Sequence, residues 1–172
     1  MLHLDFSLRK STTFNLLCLG AHSDDIEIGC GGFILRLINE IPDLSIRWIV
    51  FSGSGERAVE ARDSAAAFLT DAKTSQVKVL GFKDGYFPFQ GAEIKDVFEA
   101  LKGDFDPSLV LTHWKDDAHQ DHRILAELTW NTFRDHTILE YEIPKYDGDM
   151  GTPSVFVPLE REVYEKKVSN LM

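Results

Sequence analysis

The chain has 172 residues, 44% hydrophobic and 27% charged, the size and balance of one soluble domain able to bury roughly 70% of its unfolded surface. A net charge of -10 and a pI near 5.0, with no cluster of Lys and Arg, exclude a general affinity for nucleic acid or for an anionic membrane, both of which demand concentrated positive charge. No apolar run approaches the roughly 18 residues of a membrane span, and the apolar stretch within residues 1–10 is broken by His3 and Asp5, unlike a secretory leader, so a cytoplasmic protein is expected.

In chain order, a first strand is predicted over 14–20, followed by the cluster Ala21-His22-Ser23-Asp24-Asp25 and a Gly-rich turn holding Cys30. Helical spacing begins at 32–39 and recurs at 56–69, where Ala58, Ala61, Ala65, Ala66, Phe68 and Leu69 share one face. Strands are predicted at 45–52, 76–80, 108–112 and 138–143, and further helices at 93–102, 119–133 and from 159 onward. Residues 81–91 and 146–158 are rich in turn formers and read as loops over the carboxyl edge of the sheet. This alternation predicts an α/β domain, a three-layer sandwich around a mostly parallel sheet. No linker divides it, so residues 1–172 form a single domain, and the uncapped last helix suggests truncation of something longer. Cys18 and Cys30 make neither a disulfide framework nor a CxxC pair and are expected as reduced core residues.

Two short clusters carry the chemistry. His22 and Asp25, three apart at a strand-to-helix turn, can project to one side, and His119 and His122 stand at the same spacing at another helix start. Side chains at the carboxyl ends of neighbouring parallel strands can converge on one ion. Two imidazoles and one carboxylate leave a metal one open position for water, as in catalytic zinc sites, and a carboxylate not spent on the ion can act as base. Each cluster alone reads equally as a helix cap or a solvated surface, and Asp24 with Asp25 could simply favour a helix N-terminus. Their shared context after a strand favours a common metal site.

At these residues the chain resembles the LmbE-like, or PIG-L-like, family of zinc-dependent N-acetylglucosamine-type deacetylases. The family's Ala-His-Pro-Asp-Asp-Glu signature is met by Ala21-His22-Ser23-Asp24-Asp25-Ile26, running into Gly29-Cys30-Gly31-Gly32, and its His-x-Asp-His by His119-Gln120-Asp121-His122. Arg57-Ala58-Val59-Glu60 is similar to its Arg-x-x-Glu helix start, and Asp84-Gly85 to its Asp-Gly loop, so the likeness covers roughly residues 14 to 130. The resemblance implies a Rossmann-like fold, with zinc held by His22, Asp25 and His122. It further implies Asp24 as general base, His119 as the group that steadies the oxyanion and returns a proton, and Arg57 and Asp84 on sugar hydroxyls. Asp121 fits an outer role, accepting from an imidazole N–H to fix its tautomer. The partner implied is an N-acetylated sugar or glycoconjugate, with a homo-oligomer left open.

Ser23 stands where the family has Pro and Ile26 where it has an acid. Neither change alters the ligand spacing. His113 could approach the ion or hydrogen-bond backbone, and Trp114 and the aromatics Phe82, Tyr86, Phe87 and Phe89 could stack on a sugar or pack internally. A dinucleotide site is disfavoured, because Asp24 and Asp25 would repel a pyrophosphate where a Gly-rich fingerprint should stand. An amidase for non-sugar N-acyl compounds, iron, cobalt or manganese in place of zinc, and a silent member of the fold remain the alternatives.

Overall fold

A computed structural model describes residues 13–172; the stretch 1–10 that argued against a leader lies outside the described residues. Runs of β-branched and leucine residues form five strands, β1 (Phe14–Gly20), β2 (Leu44–Val50), β3 (Thr74–Val79), β4 (Leu109–His113) and β5 (Ile138–Tyr141). They pair in parallel in the order β3-β2-β1-β4-β5, with Gly20 opposite Val50 and Cys18 opposite Leu111. Central β1 and β4 are buried on both faces, as a parallel sheet covered by helices requires. The edge strand β3 is mostly polar and exposed, and it begins two residues earlier than its apolar run suggests.

Alternate residues feed two cores. Leu16 and Cys18 pack with α1 (Asp25–Glu40), α2 (Glu56–Phe68) and α5 (Arg161–Leu171), whereas Leu17 and Leu19 pack with α3 (Gly91–Asp104) and α4 (Gln120–Thr132). The three-layer α/β sandwich follows. Cys18 and Cys30 are both free and buried in the first core. No helix among the described residues is long and apolar enough to cross a membrane.

The largest departure from the sequence reading is α1, which starts at Asp25 rather than near residue 32 and absorbs the supposed Gly-rich turn. Glycine costs a helix about 1 kcal/mol against alanine, but here close packing overrides propensity. A Cβ at Gly29 would lie 2.2 Å from the Tyr141 ring, at Gly31 2.6 Å from Phe68, and at Gly32 2.5 Å from Leu159. The segment 146–158 also differs from expectation. It begins over the carboxyl edge, where Asp149 meets Ala118, but its end lies against α1, with Arg36 donating to the Pro158 carbonyl.

After β1 the chain turns toward β2, and after β4 toward β5 on the opposite side. The carboxyl ends of β1 and β4 therefore flank the topological switch point, where open α/β sheets bind ligands.

Candidate metal centre

Only four residues separate the end of β1 from α1, so His22 and Asp25 stand together over this crevice. Asp25 is buried, and its Oδ2 accepts the His22 backbone N–H at 2.7 Å, folding the carboxylate back over the turn. From the first turn of α4, His122 reaches the same point. His22 Nδ1, Asp25 Oδ2 and His122 Nε2 form a triangle with edges of 3.2 Å between the imidazoles, 3.4 Å from His22 to Asp25 and 3.5 Å from His122 to Asp25. Donors about 2.0–2.1 Å from a tetrahedral ion lie about 3.3–3.4 Å apart. The residues therefore fit a zinc-like cation.

Each imidazole is oriented from behind. His22 Nε2 lies 3.1 Å from Asp84 Oδ1 and 3.3 Å from Asp121 Oδ2. Asp121 is fully buried and accepts the backbone N–H groups of Gly85 and Phe87 at 2.6 and 3.1 Å, which ties the loop after β3 to the centre. His122 Nδ1 lies 2.9 Å from Asp117 Oδ2. Asp117 Oδ1 in turn accepts the His119 N–H at 2.7 Å and pairs with Lys145 at 3.0 Å. Such carboxylate–imidazole contacts fix the tautomer and raise the basicity of the inward nitrogen.

His119 caps α4. Its Nδ1 accepts the Asp121 N–H at 3.2 Å, so in the neutral ring the proton sits on Nε2. The ring stacks on His122 with centroids 4.6 Å apart and meets His22 edge-on at 4.8 Å. Asp24 occupies the N-cap position of α1, exposed and without a side-chain capping bond. Arg57 is exposed in the first turn of α2, and no hydrogen bond or ion pair among the described residues joins it to the histidines. Asp84, more than half exposed, stands against His22 itself.

Charge follows from this packing. Burial works against a proton on His22, but Asp25, with Asp84 and Asp121 behind, outweighs it and lifts the pKa to about 9. Burial likewise opposes ionisation of Asp25, yet His113, His22 and His122 hold the carboxyl well below its ordinary value. His119 is pushed down, first by burial and then by repulsion from His122 and His22. On Asp117 the hydrogen bonds from His122, His119 and Lys145 overcome burial and keep the carboxyl low.

Three contributors escaped the sequence reading. Asp117, two residues ahead of His119, was visible in the motif's neighbourhood but carried no assigned role. Asp149 fell in the predicted 146–158 loop and Lys145 just ahead of it, and only their i, i+4 spacing hinted at a pair. His113, the last residue of β4, is buried and makes the backbone hydrogen bond weighed for it. Its Nε2 takes the Ala21 N–H at 2.9 Å and lies 3.2 Å from Asp25 Oδ2, while its ring stacks on His122 at 3.9 Å. Among the described residues donor atoms thus gather in three overlapping groups, Asp25 with His113 and His122, His22 with His119 and His122, and His22 with Asp84, His119 and Asp121. Among the loop aromatics, Phe87 is buried against Phe51 and Phe82, which leaves Phe89, 80% exposed, and Tyr86, 46% exposed, as open rings.

Residues 17–133 match the family model described as PIG-L, GlcNAc-PI de-N-acetylase. The chain is 26% identical over 166 residues to the uncharacterized deacetylase YaiS of Escherichia coli (strain K12), covering 91% of this chain and 88% of that protein. Its fold is similar to that of a triple mutant of a deacetylase of the teicoplanin biosynthetic pathway, with a TM-score of 0.73, 14% identity, and coverage of 91% of this chain and 80% of the other. It is also similar to the N,N'-diacetylchitobiose deacetylase of Pyrococcus horikoshii, with a TM-score of 0.62, 18% identity, and coverage of 91% and 68%. At such identities the structural likenesses establish the fold, whereas the family match spans most of the chain and includes every residue of the triangle. The chain belongs to the PIG-L, or LmbE-like, deacetylase family.

Proposed function

We propose that this protein is a zinc-dependent N-deacetylase that hydrolyses the acetamide of a sugar or sugar conjugate, releasing acetate and a free amine. The observation that carries this reading is the 3.2–3.5 Å triangle of His22, Asp25 and His122, with Asp24 next to Asp25 in the chain and the His119 ring stacked on that of His122. Zinc held by these three would polarise the acetyl carbonyl and lower the pKa of water. Asp24, exposed and uncommitted to the helix cap, takes the proton of the attacking water. His119, whose pKa is held below its ordinary value by burial and by the neighbouring His122 and His22, presents Nε2–H to the oxygen on which negative charge develops. The same imidazole can relay to the leaving nitrogen the proton that Asp24 took from water, so that the C–N bond breaks and the ring ends neutral. Arg57, in the first turn of α2, and Asp84, in the loop after β3, are proposed to meet sugar hydroxyls, with Asp84 also steadying His22. Relatives named for teicoplanin and diacetylchitobiose support an acetylated-sugar substrate. Free, buried Cys18 and Cys30 support a reducing, cytoplasmic setting.

The test is acetate release from a panel of N-acetylglucosamine derivatives and non-sugar N-acetyl compounds, with metal content measured on the same sample. Turnover of a sugar by metal-loaded protein and its loss after chelation is the expected result. Turnover confined to non-sugar amides would replace the substrate assignment, and full activity in metal-free protein would overturn the mechanism.

A further inference from the structure

Behind His122 lies a line of charges that reaches into the segment following β5. Asp117, whose side chain is 2% exposed, holds His122 Nδ1 with one oxygen and receives Lys145 Nζ on the other. Lys145 also bonds both oxygens of Asp149, at 2.7 and 2.6 Å, and Asp149 Oδ2 accepts the Ala118 N–H at 2.6 Å. Lys145 and Asp149 are only 17% and 16% exposed, unlike the open surface pairs that contribute little. Among the described residues, Lys145 is the lysine or arginine that forms an ion pair with a carboxylate touching the histidine triangle.

We propose that Lys145 and Asp149 are a positioning pair for His122 that couples the order of residues 145–151 to occupancy of the metal site; this rests on the metal-site reading above. Lys145 clamps Asp117 Oδ1 and so stops the carboxylate from rotating, which keeps Oδ2 on His122 Nδ1 and directs Nε2 into the triangle. Asp149 holds the Ala118 end of the same turn. Coupling of this kind is reciprocal: if the segment steadies the ligand, an ion on the ligand steadies the segment. The chain then continues along a cavity of about 700 Å³, whose walls include Trp114, Met150, Thr152 and Phe156. Metal occupancy is thereby transmitted to the wall of a cavity that none of the proposed ligands lines.

The experiment compares intact wild type with Lys145→Met, Lys145→Arg and Asp149→Asn. Affinity for Zn²⁺ is read by competition with a chromophoric chelator, the ligand field by the visible spectrum of bound Co²⁺, and segment order by amide hydrogen exchange over residues 145–151 with and without Zn²⁺. Loss of an outer-shell partner lowers metal affinity by about 10–100-fold, and that loss is expected for Lys145→Met, with an altered Co²⁺ spectrum and recovery in Lys145→Arg. Zn²⁺ should slow exchange across 145–151 in wild type and have less effect in Lys145→Met. Asp149→Asn, nearly unchanged in shape, should reproduce the loss in part and keeps the test decisive if Lys145→Met does not fold. Wild-type affinity and spectrum in both the Lys145→Met and Asp149→Asn proteins, or exchange indifferent to Zn²⁺, would overturn the coupling while leaving the metal site intact. A wild type that binds neither ion would overturn the metal site, and the coupling with it.

Discussion

His22 and His122 turn their inner nitrogens to one point, yet what stands behind them differs. His22 is backed by Asp84 and Asp121 and adjoined by Asp25, with no ion pair to a lysine or arginine on any of these carboxylates among the described residues. His122 is backed by Asp117, whose charge is already shared with Lys145. Glu27 adds to the imbalance of the β1 side. It lies two residues past Asp25 in α1, 1% exposed, with neither oxygen in hydrogen-bonding geometry to a partner among the described residues. Burial pushes its pKa up to about 7, with a weak approach of Ser64 as partial relief. One half of the centre therefore stores excess negative charge for a cation to neutralise, and the other is balanced before any ion arrives.

The sharpest way to break this comparison is to change the base on the charged side. Asp24→Asn should retain metal and lose about 10²–10⁴ in turnover, checked by kcat and bound metal on one preparation; near-normal turnover would remove Asp24 from that role. On the balanced side, His119→Ala should also keep its metal while kcat falls by about 10²–10³. Metal loss in that variant would make His119 a ligand.

Proton competition should follow the charge imbalance. His22 has a folded pKa of about 9 against an ordinary 6.5, so its protonation stabilises the metal-free fold fully below pH 6.5, and this contribution is lost as pH rises through 9. Metal binding has the opposite sign, because the ion must displace that proton. Affinity should strengthen by about tenfold per pH unit across the window. Asp121→Asn should shift the window downward, and chelator competition across pH would show it.

The smallest effect belongs to Glu27. Its folded pKa lies above the ordinary 4.5, so in the metal-free protein its ionisation costs stability increasingly from pH 4.5 upward, reaching the full cost above about pH 7. Glu27→Gln should raise stability by about 1–2 kcal/mol at pH 8 and by little at pH 5. Denaturant titrations at the two pH values test it; equal gains at both would mean that burial of the acid is not the cause.

The sheet and the two His-Asp clusters were legible in the sequence because they depend on neighbours in the chain. Apolar runs mark strands, and a three-residue spacing after a strand brings His22 beside Asp25. The start of α1 was not legible, since three glycines within eight residues argue locally for a turn. They are helical because Tyr141, Phe68 and Leu159 arrive from far along the chain. Lys145 escaped for the same reason. Its partner Asp117 is 28 residues away, across β5, and no local pattern links a loop lysine to the back of a histidine.

Gly29 carries a consequence for how the protein tolerates change. A methyl group there would strike the ring of Tyr141, whose hydroxyl donates to the Leu19 carbonyl at 2.6 Å and whose ring lies 4.9 Å from that of His113. His113 leans on Asp25 and stacks on His122. A substitution on the flank of a helix, at a residue with no side chain and no chemistry, would thus be felt at two of the three proposed ligands. In a map of mutational sensitivity, Gly29 should rank beside the histidines, and a scan that scores variants by function alone would mistake it for a catalytic position.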